Sequence, residues 1–386
     1  MPITFIGWVG ILLGFAAMAL VSRRERGVKR VALVFTLALV QTAVGIYFYI
    51  WAQSNISDAY TYYYDPYGFY TRGFGLSTQF VIWLVQSLKE MFGGTYLDFF
   101  LLFQASGTWG AVILLKTMED VFGDARVAMP SLFFLLLFLP GLHFWTAFIG
   151  KDGALFLGAA LTARAAFDIQ KRWLLFGAGV LLMILFRPYI AMLAVASIAA
   201  AIMLDKKTAP LTKIFLSIFA VAGLALAAAS TRSTFQVDVT SAESVSDFFA
   251  TQTKVMQVES QEGGSGAQGP YPVRVLSLLF RPFFFDAGGI PGLIASFENL
   301  VLLFIFGFMA YHVRILRELF RRVMLIRYCV IFTIAVILLL ATVYYNVGLG
   351  LRQKMMAMPT LLTLLAGIVA VLRLQVRNRR LQAQPA

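Results

Sequence analysis

Apolar runs recur along almost the whole chain, at about 3–22, 31–52, 97–115, 129–148, 154–170, 173–186, 189–204, 214–230, 299–316, 328–345 and 356–372. A helix needs about 20 apolar residues to cross roughly 30 Å of hydrocarbon, and only helices and closed barrels satisfy their backbone there. The runs therefore predict an all-α, polytopic integral membrane protein with about eleven transmembrane helices. The 60% apolar and 13% charged composition agrees with this reading, since soluble chains run near 45–50% and about 25%. A soluble enzyme, a disordered chain and a disulfide scaffold are excluded on the same ground. The single cysteine, Cys329, and the two histidines, His143 and His312, leave no material for a cysteine- or histidine-based metal centre.

Charge sets the orientation. The first run lacks a basic leader and is followed by Arg23, Arg24, Arg26, Lys29 and Arg30, so it reads as a first span with the N-terminus outside. The stretch 173–204 holds Arg187-Pro188, which reads as a turn between two short helices rather than one long one. With eleven spans the inside segments carry 22 Lys and Arg against 7 acids, and the outside segments 10 against 12. A ten-span reading loses this bias. The net charge of +13 is thus a consequence of topology, and no nucleic-acid partner is expected. The C-terminus is expected on the inside, the cytoplasmic face.

The outer face carries the unusual residues. The chain reads as one domain, 1–386, whose long outer loops 53–96 and 231–298 shape the functional face. The first loop holds Asp58, Tyr60, Tyr64 and Asp65 in a tyrosine-rich stretch, and aromatic faces beside carboxylates suit sugars as well as the headgroup belt. Residues 77–92 read as an amphipathic helix lying in the interface. The second loop has a Gly/Ser/Gln stretch at 261–272, then runs into a charged but apolar segment, 275–300, that reads as re-entrant or interfacial. Lys151, Arg187, Arg281, Arg352 and Lys354 come from four separate outer segments, at one expected depth, against the positive-inside bias. An anionic ligand explains them, since arginine offers forked donors to phosphate and lysine a point charge. Asp152 reads either as a sugar ligand or as a partner for adjacent Lys151, Asp286 and Glu298 as acceptor ligands or partners of Arg281, and His143 as a core residue.

No GxxxxGK[ST], GxSxG or HExxH sequence occurs, and no inside segment is large enough to hold a nucleotide sugar. Group transfer would therefore use a donor already activated on a lipid. Breaking a sugar–phosphate bond needs cations on the leaving phosphate, and attack by a hydroxyl needs a base. The outer cations and Asp58, with Asp65 second, supply these residue types. No cofactor is required, although Asp58 with Asp65 could hold Mg²⁺ or Mn²⁺ against a diphosphate.

The stretches SDAYTYY (57–63), FWTAFIGKDGALFLGAAL (144–161), FRPY (186–189), LLFRPFFFDAGGIPGLIASFENL (278–300) and NVGLGLRQKMMAMPTLL (346–362) resemble membrane proteins of bacterial exopolysaccharide and O-antigen clusters. The chain resembles EpsG/Wzy-like polysaccharide polymerases and, more distantly, GT-C multi-span glycosyltransferases, over about 55–365. GT-C enzymes place an essential acid in the first outer loop, where Asp58 and Asp65 stand. The resemblance implies transfer of a polyprenyl-phosphate-linked sugar or oligosaccharide to a glycan acceptor, with membrane lipid and polysaccharide-assembly proteins as partners. Two other classes fit the same residues: a transporter or flippase of lipid-linked glycans, and a non-catalytic partner of an export complex. Transporters place their sites near the midplane, often within inverted repeats; here the charges gather at the outer edge and no repeat is evident.

Overall fold

The computed structural model describes residues 2–20, 27–55, 57–206, isolated positions between 208 and 251, 270–343 and 347–382. The expected span 214–230, the loop from 231 to 269 and the basic residues 23–26 lie in whole or in large part outside the described residues. Among the described residues the protein is helical and has no strand.

Helix α1 (Phe5–Ala16, extended by a 3₁₀ turn to Leu20) lies against α5 (Tyr96–Asp124), and α2 (Val28–Ala52) packs on another face of α5. The first approach is close: a Cβ on Gly10 would sit 2.3 Å from the Leu101 carbonyl oxygen, so only glycine lets the two backbones meet. The segment expected as the first outer loop folds as α3 (Asp58–Tyr64), a 3₁₀ turn (Phe69–Arg72) and α4 (Thr78–Phe92). Helix α4 follows the amphipathic pattern of 77–92: Phe80, Val81, Ile82 and Val85 form its buried face.

The run 129–148, expected as one span, is broken. Residues Leu132–Leu136 form α6 and Pro140–Thr146 form α7. Pro140 has no N–H to continue the helical ladder. At the break the His143 ring bonds the Leu137 carbonyl (2.9 Å) and Gln41 Oε1 (2.5 Å), so polar groups freed there keep partners inside the protein. His143 is thus a buried core residue, as expected.

Helices α8 (Asp152–Ala166), α9 (Trp173–Phe186) and α10 (Pro188–Met203) follow. The turn expected at Arg187-Pro188 is present: Arg187 is extended (φ −153°, ψ 87°) between two separate helices. After the undescribed stretch come α11 (Tyr271–Phe280), α12 (Gly289–Tyr311), α13 (Val313–Arg322), α14 (Met324–Val343), α15 (Val347–Gln353) and, beyond a 3₁₀ turn at Lys354–Ala357, α16 (Met358–Gln382). Here the expected boundaries shift. The segment 289–298, read as re-entrant or interfacial, is the first part of α12, because Glu298 and Asn299 turn inward to polar partners and need not interrupt the helix. The expected span 299–316 instead ends at Tyr311, and α13 is a separate helix with its charges on one side and Ile315, Leu316 and Leu319 on the other.

Among the described residues, five helical stretches are long and apolar enough to cross a membrane: Val28–Ala52, Tyr96–Asp124, Gly289–Tyr311, Met324–Thr342 and Val347–Gln382. The other apolar helices, such as α9 and α10, are shorter. Connectivity defines two ends of the bundle. At one end Arg30 pairs with Glu119 (2.5 Å), Arg373 bonds the Ala128 carbonyl (3.1 Å) and buried Arg327 meets Asp205 (3.4 Å). At the other end lie the close of α2, the starts of α5, α8, α10 and α16, and the α3–α4 loop.

Candidate active site

The site forms where three turns meet at that second end. The first turn joins α7 to α8. Its Ala147, Phe148 and Ile149 are buried, and a Cβ on Gly153 would come within 2.4 Å of Ser106 Oγ, so the start of α8 is pressed against α5. Lys151 and Asp152 sit at that start. The second turn holds Arg187, whose N–H donates to the Met183 carbonyl (2.7 Å) as α9 ends. The third is α15, which carries Arg352. Above them lies α3, with Asp58 as its first residue.

Arg352 is the hub. Its Nε donates to Asp152 Oδ2 at 2.6 Å and its Nη1 to Asp58 Oδ2 at 2.5 Å. Its guanidinium carbon lies 4.8 Å from the Phe148 ring centre, which adds a cation–π contact. Arg187 Nη2 stands 3.6 Å from Asp152 Oδ1, and its Nη1 donates to Tyr189 Oη at 3.0 Å. The two acids differ in access: the Asp152 side chain is 0% exposed and the Asp58 side chain 50%. Asp152 is therefore a fixed counterion, whereas Asp58 faces outward. Two buried atoms keep spare hydrogen-bonding capacity, Arg187 Nε and Asp152 Oδ1.

Lys151 completes the group. Its amine donates to Ser77 Oγ (3.0 Å) and Thr78 Oγ1 (2.7 Å). Burial of the amine, with Arg187 and Arg352 nearby, pushes it down to about 7, against the pull of Asp58 and Asp152. Burial would raise the Asp58 carboxyl, but the Arg352 guanidinium, aided by Lys151 and Arg187, outweighs it and holds Asp58 below the usual carboxylate range. Burial, then the Asp58 charge, raise the neighbouring Tyr62 phenol, so it stays neutral. With Lys151 protonated, below about pH 7, three cations against two carboxylates leave the site with one net positive charge; with Lys151 neutral the charges balance.

The remaining expected residues lie elsewhere. Asp65 closes α3 in the left-handed region (φ 45°), and its two oxygens accept from the Phe69 and Tyr70 N–H groups at 2.8 and 2.7 Å. It is held as a turn cap. Arg281 is clasped by Asp286 at 2.6 Å. Lys354, two residues from Arg352, bonds Asn299 and the Leu279 carbonyl, while Glu298 accepts from the Gly141 N–H at 2.7 Å. Arg352 and Lys354 thus serve separate polar centres. Tyr60 and Tyr64 are half exposed on α3 with ring centres 4.6 Å apart, forming an aromatic face beside Asp58. The suggested Asp152–Lys151 pair is not formed: Asp152 turns to the two arginines and Lys151 to Ser77 and Thr78. Sequence reasoning missed Ser77, Thr78, Tyr62 and Phe148. Ser77-Thr78 had a signal, a hydroxyl pair opening an amphipathic helix, but Ser77 (φ 61°) makes no side-chain cap bond and serves Lys151 instead. Among the described residues no group of three His, Cys, Asp or Glu gathers to hold a metal.

Compared with family models, curated proteins and solved structures, the chain matches none.

Proposed function

We propose that this is a polytopic protein of a bacterial inner membrane, with about eleven crossings made by the long helices and the shorter apolar ones between them. In this reading the arginine-rich end is cytoplasmic and the Arg352 site faces outward. We propose further that the site transfers a sugar or glycan from a polyprenyl-phosphate-linked donor to a glycan acceptor, as in exopolysaccharide or O-antigen synthesis. The observation that carries the reading is the grouping of three cations from three separate turns: Arg352 pairs with one buried and one outward carboxylate, Asp152 and Asp58, Arg187 reaches Asp152, and Lys151, beside Asp152 in sequence, is held by Ser77 and Thr78.

Each part answers a need of the reaction. The acceptor hydroxyl oxygen attacks the anomeric carbon, and its proton passes to Asp58. The bond from that carbon to the donor phosphate oxygen breaks, and the electron pair stays on the phosphate. Arg352 and Arg187 take up that charge; Asp152 keeps both guanidinium groups in place. Tyr60 and Tyr64 offer a stacking face for the acceptor ring. The α3–α4 segment brings Asp58 to Arg352 and Ser77 and Thr78 to Lys151. Donor phosphate binding at Arg281 and Lys354, and acceptor roles for Asp286 and Glu298, receive less support because those groups are engaged with one another or with backbone.

The test is direct. Purified protein in detergent is given a polyprenyl-diphosphate-linked repeat unit, and products are resolved by size. Longer glycans are expected, with loss of at least 100-fold in rate for Asp58→Asn, from the general-base contribution. No product from correctly folded wild-type protein, across donors of differing glycan, would remove the transferase reading.

A further inference from the structure

The two carboxylates on Arg352 are unequal, and the inequality has a function. Asp152 holds Nε from inside the bundle and is 0% exposed. Asp58 holds Nη1 from the outer side, is 50% exposed, and belongs to a seven-residue helix outside the main bundle. The Phe148 ring and Asp152 fix the plane of the guanidinium, so its Nη1 edge is presented to the outside. That edge is where an arriving anion would dock, and an anion already occupies it.

We infer that the Asp58 carboxylate occupies the place on Arg352 that a phosphate takes, so that the resting site is closed by the chain's own acid and opened by a phosphate-bearing lipid. The inference rests on the donor-binding reading above and adds its regulation. A phosphate brings more oxygens and more charge to a forked donor than one carboxylate does. It would also meet donors that Asp58 does not use: the Arg187 Nε, which is buried without a hydrogen-bond partner, and the Lys151 amine. Exchange has a second effect. Once a phosphate neutralises Arg352, the freed Asp58 loses the cation that makes it a poor proton acceptor. The base would thus be released only when the donor is seated.

The experiment measures binding of farnesyl phosphate, farnesol and inorganic phosphate to the full-length protein in detergent, by calorimetry. Asp58→Asn should bind farnesyl phosphate about three- to tenfold more tightly than wild type, from removal of a half-exposed ionic competitor. Arg352→Ala should bind more than tenfold more weakly, and Glu90→Gln, an acid of α4 bonded to Tyr70 (2.6 Å), should stay within about twofold. A gain on Asp58→Asn confined to farnesyl phosphate identifies a lipid headgroup; an equal gain for inorganic phosphate identifies free phosphate and keeps the exchange. A second measurement needs no variant: saturating farnesyl phosphate should increase carbodiimide labelling of Asp58 in the wild-type protein. Unchanged or weaker binding by Asp58→Asn, or labelling of Asp58 unaltered by ligand, overturns the inference. Glycan elongation with either result would leave the transferase reading standing; tighter binding without elongation would leave only the anion exchange.

Discussion

Replacing Asp152 by asparagine tests the architecture of the site. Asparagine keeps the shape and one acceptor for Arg352 Nε, so the change removes charge and little else. Arg352 and Arg187 are then left with side chains only 14% and 8% exposed, and the other carboxylate on Arg352, Asp58, is half in solvent. Breaking a buried pair by removing one partner costs about 3–5 kcal/mol. At about 2 °C per kcal/mol for a chain of this size, the melting temperature should fall by about 6–10 °C. The assay is thermal unfolding in detergent, followed by tryptophan fluorescence. Pairing the change with Arg352→Gln should give a double variant more stable than the sum of the single losses predicts, by about 1–3 kcal/mol. Melting within about 2 °C of wild type, with losses that add to within about 0.5 kcal/mol, would refute Asp152 as the counterion that organises the turns.

Further outcomes follow from the same geometry. Lys151, pushed down to about 7, is protonated below that pH and neutral above it, so affinity for a phosphodiester lipid, which does not titrate there, should fall as pH rises from 6 to 8. Lys151→Arg should flatten the profile, and a flat wild-type profile would contradict the assignment. The same shift predicts stability that rises with pH between about 7 and 10.5, because only the unfolded chain binds the proton there. Gly10→Ala should destabilise by about 1–3 kcal/mol in thermal melts, since its Cβ meets the Leu101 backbone, whereas Gly307→Ala, with nothing within 4 Å, should change stability by less than about 1 kcal/mol. His143→Ala should cost about 1–3 kcal/mol, because it leaves the Leu137 carbonyl and Gln41 Oε1 without the imidazole.

Much of the helical framework was legible because hydrophobic length and period are local properties. Helix α4 follows from the spacing of Phe80, Ile82 and Val85, and the turn at Arg187 from the proline after it. The break at Pro140 was not legible in the same way, since a proline in an apolar run can kink a helix without ending it. The extent of α12 was misjudged because Glu298 read as a loop residue; a tertiary partner, the Gly141 N–H, permits it inside a helix. The grouping of outer cations was readable from topology for Lys151, Arg187 and Arg352. The expected topology gives depth and not lateral position, so Arg281 and Lys354, expected at the same depth, belong to other partners. The Asp58–Arg352 contact spans 294 residues of sequence, and no spacing rule encodes it. The separation of Lys151 from Asp152 was foreseeable, since adjacent residues at a helix start point in different directions.

The central claim is that a lipid phosphate binds at the Arg352 end of the bundle rather than at the more basic end. A photoreactive polyprenyl phosphate, incubated with the purified protein and mapped by mass spectrometry, decides it. Crosslinks in 58–64, 144–152 and 347–354 are expected, and they should disappear in Arg352→Ala. Crosslinks confined to 27–30, 126–134 or 313–322 would contradict the account.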